Sequence, residues 1–168
     1  MPSAIKLVDP TQNEFLASLE AKAKQPNPFF RAMANRPDVL KNFVPLYGAV
    51  VGPGSVERRI KVLLYLVVSY ANQCAFCIAA NVPSAKKVGL TDQQVSAIQN
   101  QGDEGFSDAE RSAMRYAREL TRNAKPGVAR DALAQFFNDE QIVEITLVVA
   151  MANFTNRFNN GLGILPEA

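Results

Sequence analysis

Through most of the chain, apolar residues recur three and four positions apart, the spacing of a single buried helix face, rather than in the strict alternation of a half-buried strand. The pattern predicts an all-α fold. A first helix runs from about Pro10 to Lys24 with Phe15, Leu16 and Leu19 on its apolar face, and Gln25-Pro26-Asn27-Pro28 ends it. A short helical turn over Phe29 to Ala34 follows. Pro37 suits the first position of the next helix, which carries Val39, Leu40, Phe43, Leu46, Tyr47 and Val50; Pro45 is expected to kink it and Gly52-Pro53-Gly54 to break it.

Ser55 then reads as the N-cap of a long helix reaching about Asn72, basic at its start and strongly apolar in its second half. This is the expected central core helix. A helix beginning near Cys74 and ending at Gly89 comes next, and Thr91-Asp92-Gln93-Gln94 forms a capping box ahead of Val95 to Asn100. Ser107-Asp108-Ala109-Glu110 is a second box, opening an amphipathic helix with Met114, Tyr116, Ala117 and Leu120. Pro126-Gly127 separates that helix from one over Val128 to Phe137. Asn138-Asp139-Glu140-Gln141 starts the last helix, extended by Phe154, Phe158 and Leu162. Its centre, Ile145 to Met151, is apolar nearly all round and so belongs in a core or a subunit interface.

Composition changes this picture little. With 168 residues, 48% of them hydrophobic, the chain has material for one core, so a single helical domain over 1–168 is expected, with a short flexible start over about 1–9. Eighteen basic against sixteen acidic residues leave +2, no footprint for a phosphate backbone, which argues against nucleic acid. The start MPSAIKLVDPTQNEF lacks the charged-then-apolar layout of a secretory signal, giving a cytoplasmic expectation. The longest aliphatic run, Val62 to Val68, is far short of the roughly 20 residues that span a bilayer, so no membrane partner is expected.

The candidate chemistry lies in QCAFCIAAN, residues 73–81, which holds the only two cysteines of a chain with no histidine. On a helix, positions three apart share a face, so Cys74 and Cys77 can close a disulfide with little backbone movement. A helix starting at Cys74 sets unpaired N–H groups beside the sulfurs and stabilises thiolates without histidine. Cys77 takes the reactive role if it meets a pocket, with Cys74 as its resolving partner. The bland reading makes both small core hydrophobes. A zinc site is the weaker alternative, since zinc usually takes four Cys or His ligands.

The helix order, the segment RPDVLKNFVPLYGAVVGPGSVERRIKVLLYLVVSYANQCAFCIAAN and the closing MANFTNRFNNGLGI resemble the AhpD-like, carboxymuconolactone decarboxylase superfamily of all-helical proteins, from about Pro37 to Ile164. The resemblance implies an antioxidant, peroxiredoxin-type activity in which Cys77 attacks a hydroperoxide and Cys74 resolves the sulfenic acid. It also implies a homo-oligomer and an external dithiol protein as reductant. No cofactor, whether metal, flavin or haem, is called for. The peroxidases of the family carry a glutamate twelve residues before the first cysteine and a histidine four after the second. Here those positions are Val62 and Asn81, so both members of the proton relay are replaced and a slow or altered activity is expected.

Asn81 can donate and accept hydrogen bonds but does not titrate near neutral pH. Lys61 can supply charge, and Tyr65 or Tyr70 a hydroxyl; the bland alternatives are a solvated lysine and core-edge tyrosines. Glu144 is the carboxylate in the most apolar setting, with either a raised pKa or a salt bridge to follow. Asn153 and Arg157, four apart, suit a polar brace. Two further readings stay open: a degenerate or redox-sensing helical oligomer, and a decarboxylase-like activity on a lactone or keto acid, which the missing histidine and paired cysteines disfavour.

Overall fold

The structure is a computed structural model that describes residues 4–166. Among the described residues it holds nine α-helices and no strand: α1 (Glu14–Ala23), α2 (Pro28–Met33), α3 (Pro37–Val51), α4 (Arg58–Ala71), α5 (Ala75–Lys87), α6 (Asp92–Gln99), α7 (Asp108–Asn123), α8 (Ala129–Leu133) and α9 (Asp139–Leu162).

The capping boxes expected at Thr91, Ser107 and Asn138 are all formed and open α6, α7 and α9, each satisfying two backbone donors reciprocally. Two boundaries differ from the sequence reading, those of the first helix and of α8, while α3 ends before Gly52 as expected. The first helix is divided: Pro10–Gln12 is a 3-10 turn, and extended Asn13 restarts the chain by accepting from the Leu16 N–H at 2.9 Å. α3 runs through Pro45 to Val51. α8 covers only Ala129–Leu133 of the expected Val128–Phe137.

The start of α4 needs a larger correction. Ser55 is not its cap; α4 begins three residues later, at Arg58, and Glu57 precedes it without a side-chain cap. The polar groups of Ser55 go instead to α9, where Glu144 Oε2 accepts from the Ser55 N–H (2.8 Å), the Ser55 hydroxyl (2.7 Å) and the Val56 N–H (3.0 Å). Gly54 has room for nothing more than hydrogen, because a Cβ there would run into that same carboxylate.

α4 is the centre of the molecule, packed against α5, α7 and α9. Leu63, Leu64, Leu66 and Val68 are fully buried, each of these side chains contributing about 1.5–3 kcal/mol by leaving water. A helix buried on nearly every side must find partners for its polar residues too. Ser69 donates to the Tyr65 carbonyl at 2.8 Å, and Tyr65 pairs its hydroxyl with Thr155 of α9 at 2.6 Å. Lys61, 3% exposed, is ion-paired to Glu144 and donates to the carbonyls of Val50 (3.3 Å) and Gly52 (2.6 Å). The solvated lysine of the sequence reading is thus a buried one.

Of the expected flexible start, Met1 to Ser3 lie outside the described residues. The remainder is tied down: the Ala4 N–H donates to Leu162 and the Val8 N–H to Arg31, at 2.9 and 3.1 Å. Among the described residues no helix is long and apolar enough to cross a membrane.

Burial pushes the Glu144 carboxyl up, but Lys61, Ser55 and the Val56 N–H together hold it below its ordinary 4.5. A carboxyl lowered on folding stabilises above its unfolded pKa, and that stability is lost as pH falls through the folded value. Glu144→Ala strands the Lys61 charge and is expected to cost about 3 kcal/mol in urea unfolding at pH 7, with Lys61→Met/Glu144→Leu recovering more than half. An unchanged midpoint in the single variant contradicts the pair's role.

Candidate active site

α4 ends in a reversal that sets the cysteines. Gln73 takes a left-handed conformation (φ 52°), its N–H bonds the Tyr70 carbonyl at 3.1 Å, and the Cys74 N–H bonds the Ser69 carbonyl at 3.0 Å. This is the Schellman arrangement, made here with glutamine where glycine is the unstrained choice. Cys74 therefore hangs from the most buried helix and is also the N-cap of α5, its Sγ accepting from the Cys77 N–H at 3.3 Å. The two sulfurs are joined in a disulfide across a Cα–Cα distance of 5.2 Å.

The two cysteines are placed differently. Cys74 is fully buried, while Cys77 reaches a cavity of about 290 Å³ between α2, α3, α4, α5 and α9 that Cys74 does not line. Phe29, Phe30 and Phe76 form much of its wall, and Tyr47, Tyr65, Asn81, Thr155 and Asn159 bring polar atoms to it. The aromatic wall continues through ring contacts of Phe29 with Phe43 and Phe158, each at 5.4 Å between centroids, and of Tyr47 with Tyr65 at 6.3 Å.

Asn159, which the sequence reading did not single out, touches Cys77. Its Nδ2 donates to Cys77 Sγ at 3.3 Å; the residue is 2% exposed, and its Oδ1 is buried without a hydrogen-bond partner. A signal was present in the asparagines of MANFTNRFNN, too many polar amides for a buried helix without use. The others clamp the end of α4: Asn72 Nδ2 donates to Asn153 (3.0 Å) and Asn156 (3.1 Å), and Asn160 Nδ2 donates to the Asn72 carbonyl (2.9 Å).

The remaining candidates separate clearly. Asn81 lines the cavity, but its Nδ2 is engaged by the Cys77 carbonyl at 2.7 Å. Val62 lines a second cavity of about 110 Å³, which shares Tyr47, Tyr65, Asn81 and Ser84 with the first. Lys61 borders that second space with its ammonium committed to Glu144. Tyr70 lines neither cavity. Glu144 is a salt-bridged carboxylate with a lowered pKa, not a raised one. Asn153 and Arg157 are hydrogen-bonded to each other and reach Thr121 of α7, a brace between helices. Tyr65 is the hydroxyl that stands beside the place of the missing glutamate, one turn beyond Val62 on α4. Among the described residues no group of three or more His, Cys, Asp and Glu is arranged to hold a metal.

Residues 37–119, from the start of α3 into α7 and including both cysteines, match the carboxymuconolactone decarboxylase family. A structure from Agrobacterium tumefaciens, a candidate AhpD antioxidant defence protein, is 25% identical and superposes with a TM-score of 0.73 over 82% of this chain and 97% of its own. The chain belongs to the AhpD-like, carboxymuconolactone decarboxylase superfamily. Two further structures share the AhpD-like fold. A peroxidase-related protein from Silicibacter sp. TM1040 gives a TM-score of 0.86 at 22% identity, over 99% of this chain and 93% of that one. Apo Bmp8, a debrominase, gives 0.80 at 21%, over 99% and 91%. Superfamily members are enzymes, and in this member the Cys-x-x-Cys pair sits where α4 turns into α5.

Tyrosine ionisation tests the site's electrostatics. Burial holds the Tyr65 phenol well above its ordinary 10, and burial raises Tyr47 despite the hydrogen bond from Tyr65 that lowers it. A raised acid of this kind stabilises the fold below the unfolded pKa and loses that contribution as pH climbs through the folded one. Alkaline difference spectroscopy should show a tyrosine that ionises only with unfolding, absent in Tyr65→Phe; a native protein whose tyrosines all titrate near 10 contradicts this environment.

Proposed function

We propose that the chain is a Cys-x-x-Cys thiol peroxidase that reduces organic hydroperoxides. The observation that carries the reading is the asymmetry of the pair: Cys77 alone meets the cavity, with an amide donor on its sulfur, and Cys74 lies behind it in disulfide contact.

The reaction balances as follows. Cys77 thiolate attacks the terminal oxygen of ROOH, the O–O bond breaks, and the alkoxide leaves to take up a proton as ROH. The resulting sulfenic acid is attacked by Cys74, forming the disulfide and releasing water; an external dithiol protein then reduces the disulfide by exchange. The α5 N-terminus and Asn159 Nδ2 supply the stabilisation of the thiolate that histidine gives elsewhere. Protonation of the leaving group is the weak step. The hydroxyls at hand belong to Tyr47, Tyr65, Ser84 and Thr155; aliphatic hydroxyls and a phenol held well above 10 are poor acids at neutral pH, so a slow enzyme is expected.

The cavity favours this reading over packing alone, since it gives Cys77 a space into which a substrate fits. Its wall presents no carboxyl, imidazole or ammonium group to deliver the proton that replaces CO2 on carbon, which disfavours decarboxylase-like chemistry. An exposed apolar groove between α3 and α9, bordered by Leu46, Leu147 and Phe154, supports self-association.

Mass spectrometry after one equivalent of an alkyl hydroperoxide tests the assignment. Reduced protein should convert to the Cys74–Cys77 disulfide, Cys74→Ser should stop at a trappable Cys77 sulfenate, and Cys77→Ser should remain unmodified. Unchanged thiols in the parent protein sink the proposal, and a sulfenate on Cys74 reverses the roles. Asn159→Leu should raise the pH of half-maximal Cys77 alkylation by iodoacetamide by about one unit; an unshifted profile removes Asn159 from thiolate stabilisation.

A further inference from the structure

The cavity at Cys77 and the smaller one beside Val62 adjoin, sharing part of their walls, and line up as a channel along α4 and α5. Tyr47, Tyr65, Asn81 and Ser84 belong to both walls. Cys77, Asn81 and Ser84 lie on one face of α5, and Tyr65, Val62 and Arg58 on one face of α4, at helical spacing. The chain reverses between these helices, so Ser84 comes back to the start of α4 and borders the same space as Arg58. Cys77 and Ser84 are seven positions apart, as are Arg58 and Tyr65, so the residues that flank the channel span about 10 Å along the helix axes.

Its charge is one-sided. The two walls carry no carboxylate side chain and two cations, Lys61 and Arg58. The Lys61 charge is answered by Glu144. The neighbouring Arg59 is answered by Glu110 at 2.8 Å. Arg58, at the open end, has no ion-pair partner among the described residues. Between the sulfur and this charge the wall is largely aromatic and aliphatic, with Phe76, Tyr47, Tyr65, Val51 and Val62, and uncharged polar groups enter it at Asn81 and Ser84. A low-dielectric wall that ends in a single uncompensated cation concentrates anions and orients an amphipathic one.

We infer that Arg58 is the anchor for an anionic substrate terminus, and that the channel takes medium-chain hydroperoxides bearing a carboxylate at the end remote from the peroxide. The carboxylate meets Arg58, the hydrocarbon lies against the aromatic wall, and the hydroperoxide reaches Cys77. Reduction by the two thiols then releases the corresponding hydroxy acid and water. This substrate class rests on the peroxidase reading, while the anion site itself is independent of it.

The experiment has two arms so that the two can fail separately. In the first, calorimetry measures octanoate and its methyl ester on the disulfide form, where no chemistry occurs. Octanoate is expected to bind more tightly than the ester, with Arg58→Gln weakening it about five- to tenfold and Arg58→Glu abolishing it. Equal affinities of acid and ester, or an octanoate affinity unmoved by Arg58→Gln, overturn the anion site. In the second, stopped-flow oxidation of the reduced protein compares a carboxylate-bearing hydroperoxide with its methyl ester. A rate ratio favouring the acid, falling towards one in Arg58→Gln and at high salt, supports the substrate class; a ratio near one in the parent protein overturns it. If no hydroperoxide of either kind oxidises the thiols while octanoate still binds through Arg58, the peroxidase reading fails and the anion site stands.

Discussion

A lysine ammonium withdrawn from water has to be met by opposite charge and by acceptors, and the answer to Lys61 organises the molecule. Glu144 comes from α9, the carbonyls of Val50 and Gly52 come from the end of α3, and the same carboxylate gathers the Ser55 and Val56 N–H groups. One ion pair thus ties three helices around the entrance of α4. With α9 fixed at its beginning, its later turns are held along α4, where Thr155 meets Tyr65 and Asn156 meets Asn72. The dithiol is assembled at the far end of this contact, and its geometry is inherited from the packing of α4 against α9.

What the sequence disclosed and what it concealed follow the range of the interactions. The boxes at Thr91, Ser107 and Asn138 close over three residues, so a local pattern suffices to read them. The apolar, buried centre of α4 and the pairing of Cys74 with Cys77 are local in the same sense. Ser55 misleads because it has the composition of a cap, yet its hydroxyl is drawn to a carboxylate 89 positions away. Asn159 reaches Cys77 across 82 positions, and nothing in its neighbourhood distinguishes it from Asn156 or Asn160. Lys61 looked like a solvated residue for the same reason. Tyr70, four residues before Cys74, reads from sequence as the nearer hydroxyl, yet the packing of α4 puts Tyr65 and not Tyr70 on the cavity wall.

The polar side chains that α9 and α4 bring to Cys77 are amides and hydroxyls: Asn159, Thr155 and Tyr65. Such groups hold a charge or a proton in place but exchange none near neutral pH. The site is therefore better equipped to stabilise a thiolate than to protonate a leaving group. The Asn81 amide, engaged with the Cys77 carbonyl, serves the shape of α5.

The bend at Gly54 carries this dependence into the history of the sequence. Its Cα faces the Glu144 carboxylate, and that carboxylate cannot swing aside without abandoning the lysine and three further donors. A surface turn is ordinarily where a lineage drifts most freely. Here the drift is confined by a charge pair that the turn itself does not carry, so a library randomised over this exposed loop would be depleted at position 54 as severely as at a core leucine.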